Sequence, residues 1–471
     1  MKLIKNLTLL LLAVCLSSCE DYLSPEPISA VVADFYYTND QEIQAAVENL
    51  YDGLQGVNDT QSNSNHGTQV EYQLTEMRSD NTRTKASEGE PAQFENFSVE
   101  STNGVVFDYY RSVYNVIFRA NTVLANLENA SPEAIGRFEG EATFVRAYSY
   151  FNLVRLWGPV PLIDEIVALD DFESQFGRVD ASIVYDLIIS DLETAANNLD
   201  NSNLGRASKA AAQALLAKVH LTIGNYSEAR GLCEAVMSVG FSLEDNFKDV
   251  FYNERNDEII FAIEYVGDDT RDSQNFSAEW LNAVGRSSGL NYVTNEAKAA
   301  LDLSGGNRTA YSYRIDSDQP SQNQVAKYIP NGDESLGIEP TAGDPRLAGN
   351  DWIVLRYADV LLMHVEAIMA GGQSTADRAA IDSFQKIRDR AGLTDAVASI
   401  SKEELLNERR VELAFENQRW YDLLRFDIGV GILEQFASDN GYSFSATDLL
   451  LPFPQSEINL SGGLLEQNPG Y

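Results

Sequence analysis

The chain is poor in cysteine, histidine and positive charge, and each shortage removes a class of function. Cysteines number 3 in 471 residues. Cys15 lies in an apolar leader and Cys19 directly behind it, which leaves Cys233 with no intrachain disulfide partner, although an exported chain could have used one. Cys233 stands among Leu232, Ala235 and Val236, the setting of a buried, inert thiol. The three histidines, His66, His220 and His364, are scattered, and no two share a helix face at i, i+4. His220 and His364 sit in apolar helical runs and read as packing residues. With no EF-hand loop either, neither a metal nor a cofactor is expected. A Gly-x-Ser-x-Gly elbow and a phosphate-cradling glycine loop are also missing. Lysine and arginine number 34 against 71 acidic residues, a formal net charge of −37. Such a surface repels nucleic-acid phosphates, so no nucleic-acid partner is expected, and it repels anionic headgroups, so a basic patch cannot hold the chain to a membrane.

The N-terminus offers another attachment. Lys2 and Lys5 precede an apolar run over residues 7–14, interrupted only by Thr8, and Leu16-Ser17-Ser18-Cys19 follows. The run suits a signal peptide and is too short to cross a bilayer. Small residues before a cysteine are what a lipoprotein signal peptidase needs. This stretch resembles a bacterial lipobox, which implies removal of residues 1–18 and acylation of Cys19 by palmitate-type chains. Each buried methylene contributes about 0.8 kcal/mol and one chain anchors only marginally, so the several chains implied would anchor durably.

Residues 19–39 read as a lipidated tether, with Pro25 and Pro27 near the lipid. Residues 40–471 read as one domain in three parts. The first, 40–239, is helical: apolar residues at threes and fours predict helices over 40–54, 106–127, 134–156 and 182–199, the third stopped by Trp157-Gly158-Pro159. An alanine-rich helix over 209–221 meets a Gly224-Asn225-Tyr226 turn, and Ala229 opens the packed face of a second helix. The pair resembles a tetratricopeptide unit. The second part, 240–350, is loop-rich, with turn signals such as Gly267-Asp268-Asp269 and Gly305-Gly306-Asn307 between short apolar runs. The third, 351–471, is helical again, with a second pair over 356–369 and 375–390. A further polar stretch covers 58–92. The two pairs are too degenerate to assign as repeats from periodicity alone, and the expected fold class is mostly α, tetratricopeptide-like helix pairs forming a scaffold with a loop-rich region of short strands carrying the ligand site.

Paired carboxylates invite a glycosidase reading, since Glu404, Glu408, Glu412 and Glu416 recur every four residues. Arg409, Arg410 and Arg419 accompany them, and ion pairs with neighbouring elements account for the pattern equally well. Aromatic residues are more informative, because a sugar stacks its C–H face on Trp or Tyr while its hydroxyls seek carboxylates, amides and guanidinium groups. Trp157, Trp352 and Trp420 lie in or beside helical runs and read as core. Trp280 lies in the loop-rich part with Glu279, Asn282, Asn291 and Tyr292 nearby, and Arg78-Ser79-Asp80-Asn81-Thr82-Arg83 supplies polar groups in the other loop stretch. The candidate ligand residues are Trp280, Tyr292, Asn291, Asp80, Asn81 and Arg83, and no catalytic residue is assigned.

Several motifs now stand in order. Cys19-Glu20-Asp21-Tyr22-Leu23 opens the mature chain. Gly140-Glu141-Ala142 and Arg146-Ala147-Tyr148-Ser149-Tyr150-Phe151 lead to Leu156-Trp157-Gly158-Pro159-Val160-Pro161-Leu162. Arg356-Tyr357-Ala358-Asp359-Val360-Leu361-Leu362-Met363 precedes Glu366-Ala367. Glu408 to Glu416, Arg419 and Asp422-Leu423 are followed by Leu451-Pro452-Phe453-Pro454 and Gln467-Asn468-Pro469-Gly470-Tyr471. Over nearly the whole mature chain this order resembles the SusD/RagB family of outer-membrane nutrient-binding lipoproteins. In place of an Asp-x-Arg pair common in that family near residues 302–314, this chain has Asn307-Arg308. The resemblance implies four tetratricopeptide-like helix pairs, an outward-facing place on the outer membrane and a SusC-like TonB-dependent transporter as partner. These motifs do not define the ligand; the aromatic and polar loop residues make capture of an oligosaccharide, without chemistry, the leading reading. The alternative is a peptide-binding or other nutrient-binding member, and a glycoside hydrolase is a distant third.

Overall fold

The computed structural model describes residues 37–471 apart from 59–63, 169, 203–204, 282–288, 316–319 and 321. The leader, Cys19, nearly all of the tether, and Asn282 lie outside the described residues. The principal helices are α1 (Asp40–Gln55), α2 (Gly104–Ala125), α3 (Ile135–Trp157), α4 (Ala181–Asn198), α5 (Lys209–Thr222), α6 (Tyr226–Met237), α7 (Asn295–Ser304), α8 (Tyr357–Met369), α9 (Arg378–Arg390), α10 (Lys402–Glu412), α11 (Arg419–Arg425) and α12 (Gly429–Asn440). The fold is mostly α, and the expected helices match to within a few residues at each end.

Local chemistry explains their limits. The Asn39 side chain accepts from the amides of Gln41 and Glu42 to start α1, Ser208 caps α5, and Ser401 with Glu404 forms a reciprocal capping box on α10. Helix α3 stops where Gly158 turns to φ +73°, a conformation open to glycine at little steric cost.

Each helix packs on the next. Contacts run α1–α2, α2–α3, α3–α4, α4–α5 and α5–α6, then jump to α6–α8 and α8–α9. That order is a stack of helix pairs in which each buries the apolar face of its neighbour. The jump is sealed by Tyr226: a Cβ on Gly371, in the turn after α8, would come within 3.1 Å of its hydroxyl. The main core follows the stack, and a second cluster joins α8, α9 and α10 through Leu361, Leu362, Phe384, Ile387 and Leu405. Cys233 is fully buried, and burial pushes its thiol pKa up.

Four strands of the loop-rich part, β2 (Ile259–Ile263), β3 (Tyr292–Val293), β4 (Tyr313–Ile315) and β5 (Asn323–Val325), combine with β1 (Thr82–Arg83) before it and β6 (Trp352–Arg356) after it. One antiparallel sheet runs β1-β3-β5-β4, and β2 pairs with β6. The stretch over 58–92 departs from its expected loop character. From Gly67 onward it forms short helical turns whose polar residues are largely buried; Arg410 and Arg419 of the C-terminal helices pair with Asp80 and Asn81, Tyr109 donates to Glu71, and Arg78 donates to the Asp448 carbonyl.

The acid row on α10 is one side of an internal ion network. Arg308 Nη1 donates to Glu408 at 2.6 Å and to Glu412 at 2.8 Å. Arg356 reaches Glu258 at 2.7 Å, Glu412 at 2.6 Å and Glu416 at 2.7 Å. Lys327 joins Glu416 at 2.5 Å, and Arg390 also pairs with Glu412. Although burial opposes ionisation of Glu412, the guanidinium groups of Arg390, Arg356 and Arg308 hold its pKa well below the carboxylate range. A general acid needs the reverse shift and a path to substrate. Arg308, in the Asn307-Arg308 step, is thus a core strut linking the middle segment to α10.

Candidate functional site

The first sheet brings the two halves of the predicted ligand set together. Arg83 pairs with Tyr292 across the β1–β3 ladder, and the Arg83 guanidinium lies 5.7 Å from the Tyr292 ring centre, within cation–π range. The register pairs Val293 with Asn323 and Arg314 with Gln324. One position further along, Tyr292 faces Gln324, so Arg83, Tyr292, Gln324 and Arg314 form a row across one face. Both arginines and Tyr292 are partly open to solvent, whereas Gln324 is covered.

Glu95 fixes the Arg83 end. It accepts from the Thr84 backbone N–H and from the Tyr442 hydroxyl, each at 2.6 Å, and lies 3.7 Å from Arg83 Nε. Burial and the bond to Glu95 push the Tyr442 pKa up to about 12, so the phenol stays a donor. At the other edge of the sheet, a cleft of about 980 Å³ opens beside β4. Phe247, Lys248, Asn307, Tyr311, Tyr313 and Arg314 line it. That size falls at the top of the usual ligand range of about 300–1,000 Å³, and the mixture of aromatic, amide and charged groups suits a polyhydroxylated ligand.

Four of the predicted residues are internal, and this corrects their placement at a surface. Trp280 is 1% exposed. The short helix Phe276–Glu279 turns it inward, where Tyr72, Phe276, Tyr328 and Trp352 surround it with ring centres 5.2–6.3 Å away. Asn291 is also fully buried, and its side-chain amide finds no hydrogen-bond partner among the described residues. Asp80, 3% exposed, accepts a bidentate pair from Arg419 at 2.7 and 2.9 Å and meets Arg410 at 3.1 Å. Asn81 accepts from Arg410 Nε at 2.9 Å. Asp80 and Asn81 therefore staple the N-terminal segment to the C-terminal helices.

Sequence reading missed Glu95, Tyr442 and the cleft residues. The alternating aromatics of Ala310-Tyr311-Ser312-Tyr313 were a signal for the cleft. For Glu95 and Tyr442 no local signal exists, because they meet only through the fold.

One other constellation fails as chemistry. His364 Nδ1 lies 2.9 Å from Ser383 Oγ and its Nε2 lies 3.5 Å from Glu234, a triad-like order. Ser383 is 2% exposed, between α8 and α9, so no substrate reaches its hydroxyl. Among the described residues no three His, Cys, Asp or Glu side chains gather as a metal-binding group, and no helix is long and apolar enough to cross a membrane.

Comparison with known proteins follows the same frame. Residues 261–471 match a family model described as "SusD family", and residues 21–221 match one described as "Starch-binding associating with outer membrane". The chain is 26% identical to SusD-like protein P2 of Formosa agariphila over 99% of both chains. A solved laminarin binding SusD-like protein aligns at a TM-score of 0.76 and 26% identity, covering 92% of this chain and 100% of that one. Surface glycan-binding protein A of Bacteroides thetaiotaomicron, solved with laminarihexaose, has the same fold at a TM-score of 0.76 and 20% identity, over 92% of this chain and 100% of that one. Helix-pair scaffold, loop-borne sheet and both family matches agree: the chain belongs to the SusD-like family.

Proposed function

We propose that this protein is a lipid-anchored outer-membrane component that captures an oligosaccharide outside the cell and passes it, unaltered, to a SusC-like TonB-dependent transporter. The observation that carries the reading is the Arg83–Tyr292 pair and the adjoining cleft on one sheet, set on a frame shared over nearly its full length with a laminarin-binding relative. Tyr292 offers an aromatic face, and Arg83, Arg314 and the cleft amides offer hydrogen bonds to hydroxyls. Each stacked ring also costs the ligand hydroxyls their water, so affinity per sugar is modest, which suits a protein that must release its cargo.

The leader and Cys19 support the anchor, and the buried, paired carboxylates of α10 support binding without hydrolysis. A glycan array followed by calorimetry tests the ligand. Binding of peptides and of no glycan would overturn the reading, and sugar release on long incubation would turn it into an enzyme. For the location, Cys19→Ser should move the chain from the membrane to the soluble fraction, and the wild type should co-purify with a barrel protein.

A further inference from the structure

We infer that the ligand is a neutral oligosaccharide and not a polyanionic one. This rests on the glycan-binding reading and adds the chemical class of the ligand. The pairing of charge around the site carries it. Along the row, Arg83 has Glu95 at 3.7 Å and Arg314 has Asp333 at 2.5 Å. In the cleft, Lys248 donates to the Gly337 carbonyl at 3.0 Å with Asp249 at 4.0 Å, and Arg390 is held by Glu258 at 3.1 Å and by Glu412. Lys298, 5.3 Å from the Tyr313 ring centre, is bound to Asp302 at 2.5 Å. Asp245 also lines the cleft and adds negative charge.

Each of these cations therefore has a carboxylate beside it. A uronate or sulfate ester taken from water needs a cation to replace its hydration, and here it would have to displace a carboxylate already in place. Lys85, two residues past Arg83, adds one positive charge against a chain total of −37, which repels a polyanion before contact. For a neutral sugar the same array fits. A guanidinium beside a carboxylate presents donors and acceptors together, as hydroxyls require, and Tyr292, Tyr311 and Tyr313 supply faces for the ring C–H groups.

Calorimetry on the mature chain in detergent tests this, using a neutral β-glucan hexasaccharide, a xyloglucan oligosaccharide, a hexameric oligogalacturonate and a sulfated galactan oligosaccharide, at low and high salt. The expected result is binding of a neutral oligomer that changes less than about twofold with salt, with the anionic oligomers at least about tenfold weaker and improving as salt screens the repulsion. Tighter binding of an anionic oligomer, weakened by salt, would overturn the inference and leave glycan binding intact. Binding of none of the four, with peptides bound instead, would overturn the glycan reading itself. Glu95→Gln removes the counter-charge of Arg83 and should shift the affinity ratio toward oligogalacturonate; an unchanged ratio would refute the role given to paired charge.

Discussion

The Arg83 guanidinium rests 5.7 Å from the ring centre of Tyr292, its antiparallel partner across the β1–β3 ladder. Both side chains are partly exposed, and a Glu95 carboxylate oxygen lies 3.7 Å from the arginine Nε. Tyr292→Ala should weaken oligosaccharide binding by about 0.5–1.5 kcal/mol, up to roughly tenfold in Kd, since a stacking face is lost. The melting temperature should hardly move. Calorimetry paired with thermal melting checks both, and unchanged affinity would remove this pair from the site.

Trp280 behaves differently. Enclosed by Tyr72, Phe276, Tyr328 and Trp352, it fills space that nothing else fills. Trp280→Ala should cost about 3–5 kcal/mol of stability through the cavity it leaves. Denaturant unfolding measures this, and a loss under about 1 kcal/mol would mean that the tryptophan is not core.

The Asp80–Arg419 staple joins segments far apart in the chain. Asp80→Ala leaves two buried guanidinium groups facing each other without their carboxylate and should cost roughly 3–5 kcal/mol, whereas Arg419→Ala leaves Asp80 paired with Arg410 and should cost less. The double variant should lose clearly less than the sum of the two, and a double-mutant cycle reads that coupling directly.

Glu76 is fully buried, and burial pushes its pKa from 4.5 up to about 8. The folded state holds this proton more tightly than the unfolded one. Its contribution to stability is therefore complete below about pH 4.5 and is lost as pH rises toward 8. Glu76→Gln keeps the neutral shape at every pH. Its stability relative to wild type should rise steadily across that window, and a difference independent of pH would show that Glu76 is ionised in the fold.

The stacked helices could be read from the chain because their cause is local. Apolar spacing at threes and fours, the Trp157-Gly158-Pro159 stop and the Gly224 turn act within a few residues, so they survive in a one-dimensional string. The ordered motifs pointed to the family for the same reason. The candidate site was legible only in small part. Arg83 and Tyr292 were recognised by type, but their meeting depends on β1 pairing with β3 across nearly half of the chain, which no local pattern encodes.

What the sequence determined alone is a helical stack and a strongly acidic chain, since composition and short-range spacing suffice for both. What only the tertiary structure decided is which polar and aromatic residues face water. Trp280, Asp80 and Asn81 carry the same side chains as a surface site would. Their burial follows from the aromatic cage and from Arg410 and Arg419, which arrive from distant parts of the chain, and exposure is a property of what covers a residue.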